Sequence, residues 1–151
     1  MTGEARQKSS FFDTNILAYA FDESDERRRK PCADLVRAGF QGQIGCCVSN
    51  QILSELFVVL TSHIGKPLPR EKAAVIVSGF IDSLKWTRTN YTYLTVKRAF
   101  EDLQTINTAS FWDLLIAETM KEAGLRTLYT ENVRDFKNIP WIEVNNPVAS
   151  K

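Results

Sequence analysis

The chain carries a single histidine, His63. It falls on the apolar arc of a helical pattern, as a packed core residue does. A Ser–His–Asp triad therefore has no imidazole to draw on. Cysteine is also scarce: Cys32, Cys46 and Cys47. Three cannot all pair within one chain, two of them adjoin in a strand-like run, and no C-x-x-C spacing offers a zinc site. They read as reduced core residues of a cytoplasmic protein. Neither charge is in excess, with 19 Lys and Arg against 18 Asp and Glu. A polyanion would have to be held by a local patch, not by an overall basic field. There is no glycine-rich phosphate loop, no internal repeat and no low-complexity segment. No apolar run is long enough to cross a membrane, and residues 1–10 lack the apolar segment of a signal peptide. What remains, at 151 residues, is most simply one domain over residues 9–147. Loosely ordered tails are expected at 1–8 and 148–151.

The organising stretch is Ser9-Ser10-Phe11-Phe12-Asp13-Thr14-Asn15. It reads as a short buried strand ending on a carboxylate, followed by a helical pattern from Asn15 to Phe21. An acid at the carboxyl end of a first strand stands where α/β sheets bind ligands. It also suits a helix cap, and the two roles are compatible. Asp22 to Lys30 is an acidic run followed by a basic run, read as a solvated loop or a helix start. Beyond Pro31, Cys32, Leu35, Val36, Gly39 and Phe40 recur at helical spacing. A second strand is expected at Ile44–Val48, then helices at 51–64 and 70–84, and a short strand at Trp86–Thr89. A helix around Val96–Leu103 follows. Ser110 caps a helix that runs from Phe111 to Glu122, and Gly124 ends it. Two further strands lie at 126–130 and 141–144. Strands alternating with helices imply an α/β fold: a three-layer α/β/α sandwich around a parallel sheet of about four to five strands.

Several acids then share one end of that sheet. Asp113 lies on a helical wheel with Trp112, Ile116, Ala117 and Met120, while Glu118, Lys121 and Glu122 fall on the other side. A carboxylate in an apolar stripe is costly unless it is paired or bound. Ser110-x-x-Asp113 also fits a capping box. Glu55 sits at the border of its helix's apolar arc. Thr130, Glu131, Asn132 and Asp135 follow a strand, where turn chemistry alone accounts for Asn and Asp. Carboxylates brought together raise one another's pKa, and a divalent cation relieves the repulsion. Ligands that are all oxygen favour Mg2+ or Mn2+ over zinc.

Four stretches in order carry a family resemblance: Phe11-Phe12-Asp13-Thr14-Asn15, Ser49 to Glu55, Phe111 to Ala117 and Leu128 to Phe136. Together they resemble the PIN-domain nucleases, and among them the VapC-like toxin ribonucleases, over residues 9–147. The resemblance implies an endoribonuclease dependent on Mg2+ or Mn2+. Asp13, Glu55 and Asp113 form its acidic core, with Asn132 where many members have Asp. It also implies an RNA substrate, a homodimer and an antitoxin whose tail blocks the site.

In the chemistry expected of these residues, Asp13 and Asp113 hold the cation and Glu55 holds a water or acts as base. Asn132, Thr14, Asn15 and Thr130 orient waters behind them. Glu131 and Asp135 are further possible ligands. Arg27 to Lys30, Arg88, Arg98 and Arg134 are candidate contacts to the RNA backbone. Two other readings stand beside this one. One is a non-catalytic PIN-fold module that binds RNA or a partner. The other is a phosphotransferase of haloacid-dehalogenase type, against which Asn15 replaces the second Asp. The helices around 51–64 and 70–84 carry more apolar surface than one small sheet needs, so they are expected to build a symmetric dimer.

Overall fold

A computed structural model of the chain describes residues 8–107 and 109–149. Apart from Lys8, the tail expected at 1–8 lies outside the described residues. Strand β1 (Ser10–Phe12) leads into helix α1 (Thr14–Tyr19), then α2 (Glu26–Phe40) and β2 (Cys46–Ser49). Helices α3 (Asn50–Ser62) and α4 (Arg70–Asp82) precede β3 (Trp86–Thr89). The second half runs α5 (Tyr93–Asp102), α6 (Phe111–Glu122), β4 (Thr127–Tyr129), α7 (Val133–Phe136) and β5 (Glu143–Asn145).

The strands form one sheet in the order β3-β2-β1-β4-β5, and every pairing is parallel. Phe11 pairs with Cys47 on one side and Leu128 on the other, so β1 is the central strand. The chain winds outward from β1 through β2 to β3, then returns to build β4 and β5 on the opposite flank. The order thus reverses between β1 and β4, and the crevice outside their carboxyl ends is where open α/β sheets bind ligands.

Alternation along β1 splits its two phenylalanines between the two faces. Phe12 meets the Trp86 ring at 4.9 Å, and Trp86 in turn meets Phe80 of α4 and Phe40 of α2. Helix α2 lies so close to this face that a Cβ on Gly39 would stand 2.6 Å from the Cys46 sulfur and 2.8 Å from the Trp86 ring. Only a glycine permits that seating. Phe11 and Leu128, both fully buried, point to the other face, which the α5–α6 pair covers. All three cysteines are buried and free, as expected of core residues.

Several local expectations hold to the residue. Ser49 caps α3, Ser110 caps α6, and Gly124 ends α6 with φ +71°. Of the two readings of the charged run, loop or helix start, the second holds: helix α2 begins at Glu26, capped by Asp25, and carries Pro31 in its interior. Other expectations do not hold. Helix α7 forms within a stretch read as turn. His63 is exposed, not packed in the core; it ends α3, where Ser62 Oγ lies 2.7 Å from its Nδ1. Glu118, placed on the charged side of its helix, is only 2% exposed. Residues Leu114 through Met120 of α6 are all buried, because this helix is covered by α5 as well as by the sheet. Glu118 Oε2 and Asp102 Oδ2 meet no donor among the described residues. Burial, with Asp102 nearby, lifts the Glu118 pKa to about 7. Among the described residues, no helix is long and apolar enough to cross a membrane.

Candidate active site

Asp13 ends β1, and its N–H donates to Tyr129 O at 2.9 Å, continuing the sheet ladder by one residue. Extended backbone at Asp13 (ψ 155°) then turns into α1, so its side chain caps the helix. Oδ1 accepts from the Thr14 N–H at 2.8 Å, and Oδ2 accepts from the Thr130 hydroxyl at 2.7 Å. The residue is 7% exposed. Burial pushes its pKa up to about 6, against the pull of the two hydrogen bonds and with help from Glu55 and Asp113. The cap role and the ligand role are thus both open to the same carboxylate.

Glu55 reaches the same place from α3. Its Oε2 accepts from Thr14 Oγ1 at 2.7 Å and its Oε1 from Gln51 Nε2 at 3.0 Å. Asp113 comes from the first turn of α6 and closes the capping box expected from Ser110-x-x-Asp113. Ser110 N–H and Oγ both donate to Asp113 Oδ2, at 3.1 and 2.9 Å, and these bonds leave Oδ1 uncommitted. Asp113 does not face the core as its wheel position suggested. It is partly exposed, and Trp112 beside it is 56% exposed. Burial raises the Asp113 pKa, Ser110 opposes this, and Asp135 and Glu55 add to it.

The three acids line one open cavity of about 300 Å³, with Thr14, Asn15, Gln51, Trp112 and Asn132 also in its walls. Asn132 is tethered through its N–H to Thr130 Oγ1 at 3.0 Å. That hydroxyl in turn donates to Asp13, so one buried threonine aligns two walls. Asp135 lies close enough to raise the Asp113 pKa but does not line the cavity. Glu131 goes elsewhere. Its Oε1 accepts from Tyr19 OH at 3.0 Å and its Oε2 from Arg28 Nε at 2.9 Å. Both of its oxygens are committed to α1 and α2, away from the acids.

Sequence reasoning missed Gln51, which is 5% exposed. Its amide bridges Glu55 Oε1 and the Trp112 carbonyl, at 3.0 and 3.4 Å, and so ties α3 to α6 at the site. The i, i+4 spacing of Gln51 and Glu55 was the available signal. Gln51 Oε1 is buried with no donor among the described residues. Exchanging its oxygen and nitrogen would set oxygen against the Glu55 carboxylate, so the orphan acceptor is fixed.

Among the described residues, no three His, Cys, Asp or Glu side chains stand close enough to form a finished metal cage. The donor set nevertheless fits a hydrated Mg2+. That ion binds through one or two carboxylates, keeps several waters and takes oxygen ligands alone. A water on such an ion would supply the donor that Gln51 Oε1 lacks.

Most of the candidate RNA-binding cations are already engaged. Arg28 pairs with Glu131 and Asp25, Arg29 with Glu26, and Arg98 with Glu122. Arg88 donates to the Ser83 and Trp86 carbonyls. Arg27, Lys30 and Arg134 are exposed.

The PIN domain family model matches residues 10–142. A comparison with curated proteins gives no match. Among solved structures, the VapC20 toxin of Mycobacterium tuberculosis, described as cleaving the sarcin–ricin loop, aligns with a TM-score of 0.69 at 22% identity. The alignment covers 89% of this chain and 98% of that one. The DNA-bound VapBC of Salmonella typhimurium aligns at 0.64 and 22% identity, covering 93% and 98%. A toxin–antitoxin complex from Klebsiella pneumoniae aligns at 0.62 and 22% identity, covering 91% and 97%. At such identities the likeness is one of fold. The matched model spans nearly the whole domain, the fold aligns with VapC structures along nearly their full length, and the chain belongs to the PIN-domain family.

Proposed function

We propose that this PIN domain is a divalent-cation-dependent endoribonuclease and the toxin of a toxin–antitoxin pair. One observation carries the reading. Asp13, Glu55 and Asp113 come from three elements far apart in sequence and line one cavity at the point where the strand order reverses. Ordinary caps and surface acids have no reason to converge. The VapC fold supports the toxin assignment, since the related complexes from Salmonella and Klebsiella pair such a chain with an antitoxin.

Asp13 and Asp113 are the residues to hold a Mg2+ or Mn2+ ion. When bound, the ion acidifies water and offsets charge on the phosphate. Thr14 and Thr130 fix the Asp13 carboxylate from either side. Glu55, clamped by Thr14 and Gln51, is placed to take the proton of the attacking water. Asn132 offers one acceptor and two donors at the cavity wall to orient a water or a phosphate oxygen.

Among the described residues no lysine or arginine lines the cavity, which disfavours the haloacid-dehalogenase reading, a chemistry that needs a cation on the phosphate. The test is cleavage of single-stranded RNA in Mg2+ and in EDTA, with Asp113→Asn as control. Cleavage in Mg2+ alone, lost in the variant, is expected. RNA binding without cleavage under any metal would instead make the chain a binding module. We also propose a homodimer, since Val58, Val75 and Ile81 of α3 and α4 are 51%, 72% and 46% exposed. Light scattering should give twice the chain mass at micromolar concentration, and a monomer would refute this.

A further inference from the structure

Trp112 stands out from its own helix. Its apolar neighbours Ile116, Ala117 and Met120 are buried, yet the indole is 56% exposed and forms a wall of the acid cavity beside Asp113. An exposed tryptophan at the lip of a polar cleft forgoes a large apolar burial. Nor is the ring's backbone loosely held. Phe111 approaches the Trp112 ring edge-on at 5.4 Å, and Phe100 lies 5.4 Å behind Phe111. Gln51 Nε2 donates to the Trp112 carbonyl. The side chain is therefore braced from two sides while its remaining surface faces solvent.

Charge narrows the choice of occupant. Among the described residues the cavity carries three acids and no lysine or arginine, so the nearest wall repels a phosphate chain. A nucleic acid seated there needs a contact that does not depend on charge. A nucleobase stacked on an aromatic face supplies one, and every base has such a face. Bases are free to stack in this way only where they are unpaired.

We propose that Trp112 is the platform on which an unpaired base stacks, next to the phosphodiester that a cation held by Asp13 and Asp113 would bind. This inference rests on the ribonuclease reading. It makes Trp112 a substrate-binding residue that sets a preference for single-stranded over duplex RNA. Because the stack is made equally in the ground state and the transition state, it acts on KM and leaves kcat nearly unchanged.

The test compares wild type, Trp112→Phe and Trp112→Ala on a fluorescein-labelled 12-nucleotide single-stranded RNA of mixed sequence, in Mg2+. For Trp112→Ala, KM should rise about tenfold or more, with kcat within about twofold, in line with the usual strength of base–aromatic stacking. Trp112→Phe, which keeps a ring, should recover most of the loss. RNA should also quench an emission component of the wild type that Trp112→Phe lacks, since Trp86 is buried in the core and Trp141, held by the Ala117 carbonyl and covered by Lys121, lies outside the cavity wall. Melting temperature and sedimentation should be unchanged in both variants. Wild-type cleavage with KM unaltered in Trp112→Ala would overturn the inference and leave the ribonuclease reading standing. So would a loss of affinity accompanied by dissociation of a dimer, which would make Trp112 a contact between copies. A wild type that neither binds nor cleaves RNA would overturn both readings.

Discussion

Asp13→Asn should stabilise the metal-free protein at neutral pH while abolishing its activity. The Asp13 pKa moves from 3.8 to about 6 because the carboxylate is buried. A pKa raised on folding contributes stability that is full below about 3.8 and is lost as pH rises through about 6. At about 1.4 kcal/mol per unit, ionised Asp13 costs the folded state about 3 kcal/mol at pH 7.5. The amide escapes that cost. It keeps an acceptor for the Thr14 N–H but disturbs the Thr130 bond, a loss of about 1 kcal/mol. The net gain is about 2 kcal/mol, or roughly 4–8 °C in melting temperature for a domain of this size. The assay is thermal unfolding in EDTA at pH 4 and pH 7.5. The advantage of the variant should appear at pH 7.5 and vanish at pH 4, where wild-type Asp13 is protonated. Added Mg2+ should raise the wild-type melting temperature and leave the variant nearly unmoved. An advantage that is absent at pH 7.5, or equal at both pH values, would refute the assignment of Asp13 as a buried charge awaiting a cation.

Asn132→Asp adds a carboxylate to the cavity wall and should tighten Mg2+ binding by about 1–3 kcal/mol in calorimetric titration; unchanged affinity would make Asn132 a turn residue only. Gln51→Leu frees the Glu55 carboxylate from its brace and should cost about 10- to 100-fold in Mg2+ affinity or cleavage rate with little loss of fold. Steady-state kinetics and circular dichroism together check this. Glu118→Gln should raise the melting temperature at pH 8, where the buried Glu118 must ionise, and leave it unchanged at pH 5. A gain equal at both would refute the raised pKa of Glu118.

Local rules located Asp13, Asp113 and Asn132 because each stands where local rules are strong. Asp13 ends a strand, Asp113 follows a serine cap by three residues, and Asn132 follows a strand into a turn. What escaped the sequence depended on tertiary neighbours. Glu131 looked like its companions until Tyr19 and Arg28 were seen to occupy both of its oxygens. The wheel set Glu118 among charges, but the middle of α6, from Leu114 to Met120, is enclosed on every side. The same wheel set Trp112 in the core, where the cavity instead opens beside it. Helix α7 is four residues long, too short for any periodicity to show. Gln51 reads as one polar residue at a helix start, and its meaning lies in a carbonyl on α6.

The central place of β1 has a consequence in time. The strand made first is completed last, because its partner β4 (Thr127–Tyr129) is near the end of the chain. Until then one side of β1 has open N–H and C=O groups, and the Thr130 hydroxyl that holds Asp13 has not been synthesised. During translation, Asp13, Glu55 and Asp113 can all have left the ribosome while the cavity still lacks a wall. The cavity proposed as the active site is therefore completed only once the residues from Thr127 onward are in place, since they bring both the missing side of the β1 ladder and the Thr130 hydroxyl.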